Sequence, residues 1–306
     1  MNTIKAELSG LSESLVELVR QTVGGVVALK AAPYRVVSGL SLRTDLIATA
    51  DHSLRRQERV PVETGDGRQG IASILGRDPR VDVAILKVED LKLTPLEARD
   101  SASLKPGMLA AVVGLTIDSG PSASLGILGA VSGSRRTWRG GLLDHFVRLD
   151  VNVYPSQIGA AVVDSDGGLI GLATPALLRH SSVAVPLATL NRTAEELLQQ
   201  GRIRQGYLGV GLQPVGIPAA LQEKIGGQQS GLIILSVEAG SPADQGRLQL
   251  GDTLISLSGR PLSDVDDLQN ALQGDSVGQN VKLVLLRGGE RLDAQITIAE
   301  RTQTRQ

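Results

Sequence analysis

Between residues 25 and 185 the apolar positions come in short runs of Val, Ile, Leu and Ala, cut by glycine-rich turns. Residues 25–31, 45–50, 81–88, 109–115, 146–153 and 168–174 read as strands, because β-branched and aliphatic runs of this length fit a pleated, buried surface. Gly65-Asp66-Gly67, Asp118-Ser119-Gly120 and Asp166-Gly167-Gly168 mark turns between them. Many short strands at this spacing predict an all-β barrel or sandwich. The stretch of about 160 residues is enough for two small barrels.

Helical spacing brackets this region. Residues 1–22 predict an N-terminal arm with a helix: Ser14 and Glu17 have capping-box spacing, and Leu11, Leu15, Leu18 and Val19 share a face. A second helix starts at Pro186, repeats Leu187, Leu190, Ala194, Leu197 and Leu198, and stops at Gly201. The barrel region is thus predicted over 23–198, with a polar linker over 199–206. A further unit over 207–302 has strands at 207–213, 231–237 and 253–257 and a helix start at Ser241-Pro242-Ala243-Asp244. It adds a helix over 264–272 capped by Ser263, and a closing hairpin over 281–298 turning at Gly288-Gly289. That pattern is a small α+β domain.

Composition narrows the class. Charged residues are 21% and hydrophobic residues 42%, as in a soluble globular protein. A net charge of −1 gives no reason to expect nucleic acid, and Arg135-Arg136-Thr137-Trp138-Arg139 reads as a solvated loop. Cysteine is absent, which excludes a disulfide framework and a thiolate metal site. No metal-ligand spacing links His52, His145 and His180, so no metal or other cofactor is expected, and the last two read as surface or boundary residues. No transmembrane run is expected, and residues 1–14 have no leader-like core. As given, the chain reads as cytoplasmic, or as periplasmic if a leader was removed.

Three segments carry chemistry. Asp45-Leu46-Ile47-Ala48-Thr49-Ala50-Asp51-His52 reads as a strand presenting a histidine. Gly76-Arg77-Asp78-Pro79-Arg80-Val81-Asp82 leads into an apolar strand opened by Asp82. Tyr154-Pro155-Ser156-Gln157-Ile158-Gly159-Ala160-Ala161 is a turn entering another strand. In this order the segments resemble the HtrA/Deg family of trypsin-like serine proteases. That family's pattern is a Thr-Asn-Asn-His turn, an Asp-Pro-x-x-Asp-Leu-Ala-Val-Leu strand and a Pro-Gly-Asn-Ser-Gly-Gly nucleophile loop. Residues 125–132 resemble a further family segment, and the resemblance runs from about residue 14 to 300. Arg204-Gln205-Gly206-Tyr207-Leu208-Gly209-Val210, Gly240-Ser241-Pro242-Ala243 and Leu250-Gly251-Asp252-Thr253 resemble the PDZ domain that follows the protease in this family.

The resemblance implies a mainly β fold: a trypsin-like double β-barrel followed by a small α+β PDZ domain. It makes His52 the general base and Asp82 the group that orients its ring. It also puts Ile158 at the nucleophile position. A hydrocarbon side chain has no atom to attack a carbonyl and no proton to give. Ser156 stands where the family has the glycine opening the oxyanion loop, with Gly159 following and Ala160 replacing a second glycine. His52 and Asp82 are therefore expected as vestigial triad members. In the PDZ domain, Tyr207, Leu208, Gly209, Val210, Gly211 and Leu212 are expected to receive a peptide strand, with Leu268 and Leu272 across the groove. The function expected is a pseudoprotease scaffold, chaperone-like or regulatory, that binds peptides or unfolded segments with free C-termini. Its alternatives are an active HtrA-type endopeptidase, or a non-catalytic subunit modulating HtrA-like paralogues. The resemblance implies a homotrimer.

Overall fold

The computed structural model describes residues 2–54, 57–203, 206–272 and 276–300, with side chains from residue 7 onward. The chain divides into two compact units, Met1–Ile203 and Arg204–Gln306.

In the first unit, α1 (Asn2–Val23) precedes β1 (Val26–Ala32), β2 (Arg35–Ser41), β3 (Leu46–Ala50), β4 (Arg59–Thr64), β5 (Gln69–Asp78) and β6 (Val83–Val88). These six strands close into a barrel in the order β1-β2-β3-β6-β5-β4, sealed where Val27 pairs with Thr64. Next come β7 (Leu109–Thr116), β8 (Gly120–Ser132), the two-residue strands β9 (Arg135–Arg136) and β10 (Leu142–Leu143), then β11 (Phe146–Asp150), β12 (Ala161–Val163), β13 (Leu169–Thr174) and β14 (Ser182–Pro186). A second barrel closes in the order β11-β14-β13-β12-β7-β8.

The period-two geometry of strands explains why so many are apolar on both faces. Val27, Leu29, Ile47, Ala84 and Leu86 fill the first barrel, whereas Val26, Ala28, Ala48, Ala50, Val83 and Ile85 point out of it. Ala110, Val112, Ala160 and Val162 fill the second barrel; Ala111, Val113, Ala161 and Val163 point out of it. Both outward sets join one apolar seam between the barrels, which also contains Ile158. Helix α2 (Leu187–Gln200) closes the seam from one side. Its buried Leu190, Ala194 and Leu197 recur at helical spacing against β5, β6, β13 and β14, and Gly201 ends it in the left-handed region.

Three local expectations are corrected. Ser14 does not cap α1: the helix starts at Asn2, and the Ser14 hydroxyl donates to the Gly10 carbonyl one turn back. Glu17 instead pairs with Arg20 and Gln21, which holds its carboxyl at a pKa of about 2. Leu15, Leu18 and Val19 do meet the seam, but Leu11 is half exposed because only the later turns reach the barrels. Asp82 does not open its strand: it has φ 57°, a left-handed conformation no ladder accommodates, and β6 begins one residue later. The strand expected to run to residue 153 stops at Asp150.

The β9–β10 hairpin is tied down by Thr137 Oγ1, which donates to the Arg80 carbonyl, and by Arg139, which donates to the Pro79 carbonyl. Trp138 at its tip is 72% exposed, with the Arg139 guanidinium 4.6 Å from the ring centroid.

The second unit contains β15 (Gly206–Tyr207), β16 (Val210–Gly216), α3 (Ala219–Gln222), β17 (Ser230–Val237), α4 (Pro242–Gln245), β18 (Thr253–Leu257), β19 (Arg260–Pro261), α5 (Val265–Ala271), β20 (Asn280–Arg287), β21 (Glu290–Thr297) and β22 (Ala299–Glu300). Its main sheet runs β16-β17-β18-β20-β21, so β16 is an edge strand. Ser241 caps α4 as expected, accepting from the Asp244 N–H. Asp264, not Ser263, caps α5: its carboxylate accepts from the Asp267 N–H at 2.8 Å, while Asp267 accepts back from Asp264 and Ser263.

Leu190 is fully buried where α2 meets the seam. Leu190→Ala is expected to cost about 3 kcal/mol, through lost transfer energy and a residual cavity. Urea unfolding followed by circular dichroism measures it; a loss under about 1 kcal/mol would mean the helix collapses onto the gap.

Candidate functional site

The seam has a polar centre. Where β3 ends at Ala50, a 3-10 turn over Asp51–Ser53 presents His52. Its ring Nδ1 lies 2.9 and 3.0 Å from the two carboxylate oxygens of Asp82, and its backbone N–H donates to Asp82 Oδ1 at 3.0 Å. Asp82 is completely buried, while the His52 side chain keeps 29% of its surface. The left-handed backbone at Asp82 aims the carboxylate back at the histidine turn, and the Asp51 N–H closes the exchange by donating to the Asp82 carbonyl at 3.1 Å. A third donor comes from the other barrel: Thr174 Oγ1, at the end of β13, donates to Asp82 Oδ2.

The segment expected to hold a nucleophile meets β2 and the end of β3, just before the histidine turn. Pro155–Gln157 winds into a single 3-10 turn, with the Gln157 N–H on the Tyr154 carbonyl and Gln157 Oε1 receiving the Tyr154 N–H. Ile158 follows in extended conformation, 8% exposed, and its carbonyl accepts from the Ser38 N–H of β2. Gly159 has φ 81°, and its N–H donates to the Ala173 carbonyl, one residue before Thr174. A Cβ on Gly159 would lie 2.3 Å from the Ser38 carbonyl oxygen and 2.4 Å from Thr49 Oγ1, so the loop presses against β2 and β3 with no room for a side chain. Ser38 Oγ donates to the Ser156 carbonyl at 2.7 Å and accepts from the Leu115 N–H at 3.0 Å, pinning the loop to both barrels.

His52, Asp82, Ile158 and Gly159 are thus gathered on two neighbouring barrel rims. Three hydroxyls of the surrounding elements are engaged: Thr49 donates to the Ser38 carbonyl, Ser53 to the Ala50 carbonyl and Thr174 to Asp82. Among the described residues, no hydroxyl hydrogen-bonds the His52 ring. Beside the loop lies a polar cleft of about 540 Å³, lined by residues 149–153 and by Pro175 and 178–182. His180 is exposed on its wall, whereas His145 is half-buried away from it.

Sequence reading missed the second layer. Arg77 Nη1 donates to Asp51 Oδ1 at 2.7 Å and to the Leu54 carbonyl at 2.8 Å, so one guanidinium clamps both ends of the histidine turn. Burial raises the Asp51 pKa, and the hydrogen bond to Arg77 opposes that rise. Arg77 and Thr174 follow no motif of their own; the only signal was their place near segments already singled out.

In the second unit Tyr207, Leu208, Gly209, Val210, Gly211, Leu212, Leu268 and Leu272 all line one groove of about 490 Å³ between β16 and α5. The strand expected over 207–213 is broken at Leu208-Gly209, where Gly209 has φ 79°. The Leu208 carbonyl accepts from the Ala243 N–H and the Gly209 carbonyl from the Glu238 N–H. Trans peptide planes then turn the N–H groups of Gly209 and Val210 away from those partners.

Removing the Arg77 clamp leaves the half-buried Asp51 carboxylate without its guanidinium partner. Arg77→Met is expected to lower stability by about 2 kcal/mol at neutral pH, less than for a fully buried pair because Arg77 is partly exposed. A carboxyl with a raised pKa takes up its proton as the pH falls through that value, so the variant's deficit should shrink in acid. Urea unfolding at neutral and acid pH tests this; a constant deficit would locate the clamp's worth in the carbonyl contacts.

Comparison with known proteins agrees with this architecture. The trypsin-like peptidase domain family matches residues 37–172, and the PDZ domain family matches residues 206–298. The periplasmic pH-dependent serine endoprotease DegQ of Escherichia coli K12 is 28% identical over 264 residues, covering 84% of this chain and 57% of that protein. A probable periplasmic serine endoprotease, DegP-like, of Pseudomonas putida GB-1 is 29% identical over 268 residues, covering 85% and 55%. The chain therefore spans a little over half the length of the curated relatives it matches. Among solved structures, the HtrA-type protease AlgW with decapeptide superposes with a TM-score of 0.77 at 22% identity, covering 93% of this chain and 98% of that one. The serine endoprotease from Yersinia pestis gives 0.75 at 24%, covering 93% and 97%. With a trypsin-like peptidase domain followed by a PDZ domain, and serine endoprotease relatives aligned over most of its length, this chain belongs to the HtrA/Deg family.

Proposed function

We propose that this chain is a peptide-binding member of the family that holds extended or C-terminal segments without cutting them. The observation that carries the reading is the side chain at position 158. Peptide hydrolysis of this kind needs a hydroxyl on the face of the imidazole away from the aspartate. Ile158 has none, and it is packed into the seam. Ser156 in place of glycine in the preceding turn adds to the case, since an oxyanion hole depends on backbone N–H groups held toward one point. Loss of a nucleophile alone typically costs about a million-fold in turnover. In this reading His52, Asp82, Ser156 and Gly159 keep the scaffold of a catalytic site rather than its chemistry.

Binding is assigned to the groove beside β16. An extended peptide adds to the free edge, its terminal carboxylate meets the N–H groups of Gly209 and Val210, and its last apolar side chain enters the space lined by Leu208, Val210, Leu268 and Leu272. The division of labour we propose is residues 23–198 for the protease-like scaffold and 207–302 for capture, joined by 199–206. Assembly as a homotrimer, or with active paralogues that it modulates, belongs to the same reading. The relatives are named as periplasmic, which favours an extracytoplasmic setting; among the described residues, no helix is long and apolar enough to cross a membrane.

The intact His52–Asp82 pair, and the endoprotease names of the relatives, favour the rival reading of a working peptidase. Purified protein is expected to leave an unfolded substrate intact and to take up no serine-directed fluorophosphonate. Stoichiometric labelling would overturn the non-catalytic reading. Because Ser156 and Ala160 also depart from the family loop, Ile158→Ser is expected to recover less than about a thousandth of a relative's turnover. Peptides with a free apolar C-terminus should bind, and amidating that terminus should weaken binding at least about tenfold, the loss expected for a charge-assisted contact. Unchanged affinity after amidation would remove the groove assignment.

A further inference from the structure

The outer face of the groove is bare where a second contact is available. Val210 and Leu212 turn inward and pack on the core of the unit with Val237. Gly211 between them faces out, and it pairs with Ser236 of β17. A Cβ on Gly211 would lie 2.4 Å from Ser236 Oγ. Glu238 follows directly on the end of β17, two residues after Ser236, and is exposed. Its backbone N–H bonds the Gly209 carbonyl, and its carboxylate accepts from the Tyr207 hydroxyl, so an exposed acid is held in place beside the loop that would receive the peptide terminus.

A peptide whose carboxylate sits at Gly209–Val210 must run back along β16, antiparallel to it. Residues directly opposite in an antiparallel pair share a face. The terminal side chain, opposite Val210, goes inward. The penultimate one, opposite Gly211, goes outward over a strand position with no side chain. From there β17 is two strand spacings away, about 10 Å. A lysine or arginine lying across the glycine covers that span jointly with the glutamate side chain; a short or acidic residue does not.

We propose that Glu238, with Ser236 beside it, makes the groove selective for a basic side chain at the penultimate position of the bound peptide. This rests on the groove being a C-terminal peptide site. It narrows the ligand class to chains ending in a basic residue followed by an apolar one. Ion pairs at exposed sites are weak, so the preference is modest, about threefold to fivefold over a neutral residue. It also weakens with salt.

Fluorescent peptides with one apolar terminal residue and Lys, Gln or Glu before it, titrated against the full chain by anisotropy, test the assignment. Affinity should fall in the order Lys, Gln, Glu. Glu238→Gln should flatten that order without abolishing binding, and high salt should compress it. Equal affinity for all three peptides, with binding still sensitive to amidation, overturns the penultimate preference alone. An order that survives Glu238→Gln also overturns it, and assigns the selectivity to the acids Asp264, Asp266 and Asp267 at the start of α5. No binding, or binding indifferent to amidation, overturns both the groove assignment and the preference built on it.

Discussion

A carboxylate sealed from water has to be answered by donors, and in the first unit that carboxylate is Asp82. Burying an unpaired ionised group costs several kcal/mol even after relaxation. The fold meets the requirement with the backbone and ring of His52 from the first barrel and the Thr174 hydroxyl from the second. Most of the local geometry follows from it. The left-handed turn at Asp82, the 3-10 turn bearing His52 and the termination of β13 are each shaped to reach one point. A pair held this way braces the two barrels whether or not any peptide is cut. The bonds from His52 and Thr174 to one carboxylate therefore tie the two barrels at a single point.

Ile158 sits on the other rim of the same seam. It contributes hydrocarbon to a cluster built from outward-facing strand residues of both barrels and from residues of α1 and α2. A polar side chain there would give up apolar packing in the seam. Gly159 cannot be exchanged in the same way, because its positive φ and its contacts with β2 and β3 leave no space for a side chain. Of these two neighbouring positions, the backbone thus fixes the residue at 159 but not the one at 158.

Much of this was legible in the chain. Mostly apolar runs that are buried at every position, such as those of β3 and β13, follow from a strand with barrel interior on one side and seam on the other. The triad segments and the groove loop were legible because each is contiguous. Thr174 and Arg77 were not, because a hydrogen bond across 92 or 26 residues leaves no local trace. Ser14 misled because its spacing to Glu17 fits a cap as well as it fits mid-helix, and only the preceding helical turns decide between them. The break at Gly209 was also hidden: a glycine in an apolar run permits a left-handed kink without requiring one.

The exposed hairpin tip has a practical consequence. Trp138 is the single tryptophan of the chain and already faces solvent in the native state. Its emission should change little when the barrels melt, so indole fluorescence is nearly blind to the cores. The same isolation makes it a clean optical reporter of anything that docks on that hairpin, read against a dark protein background.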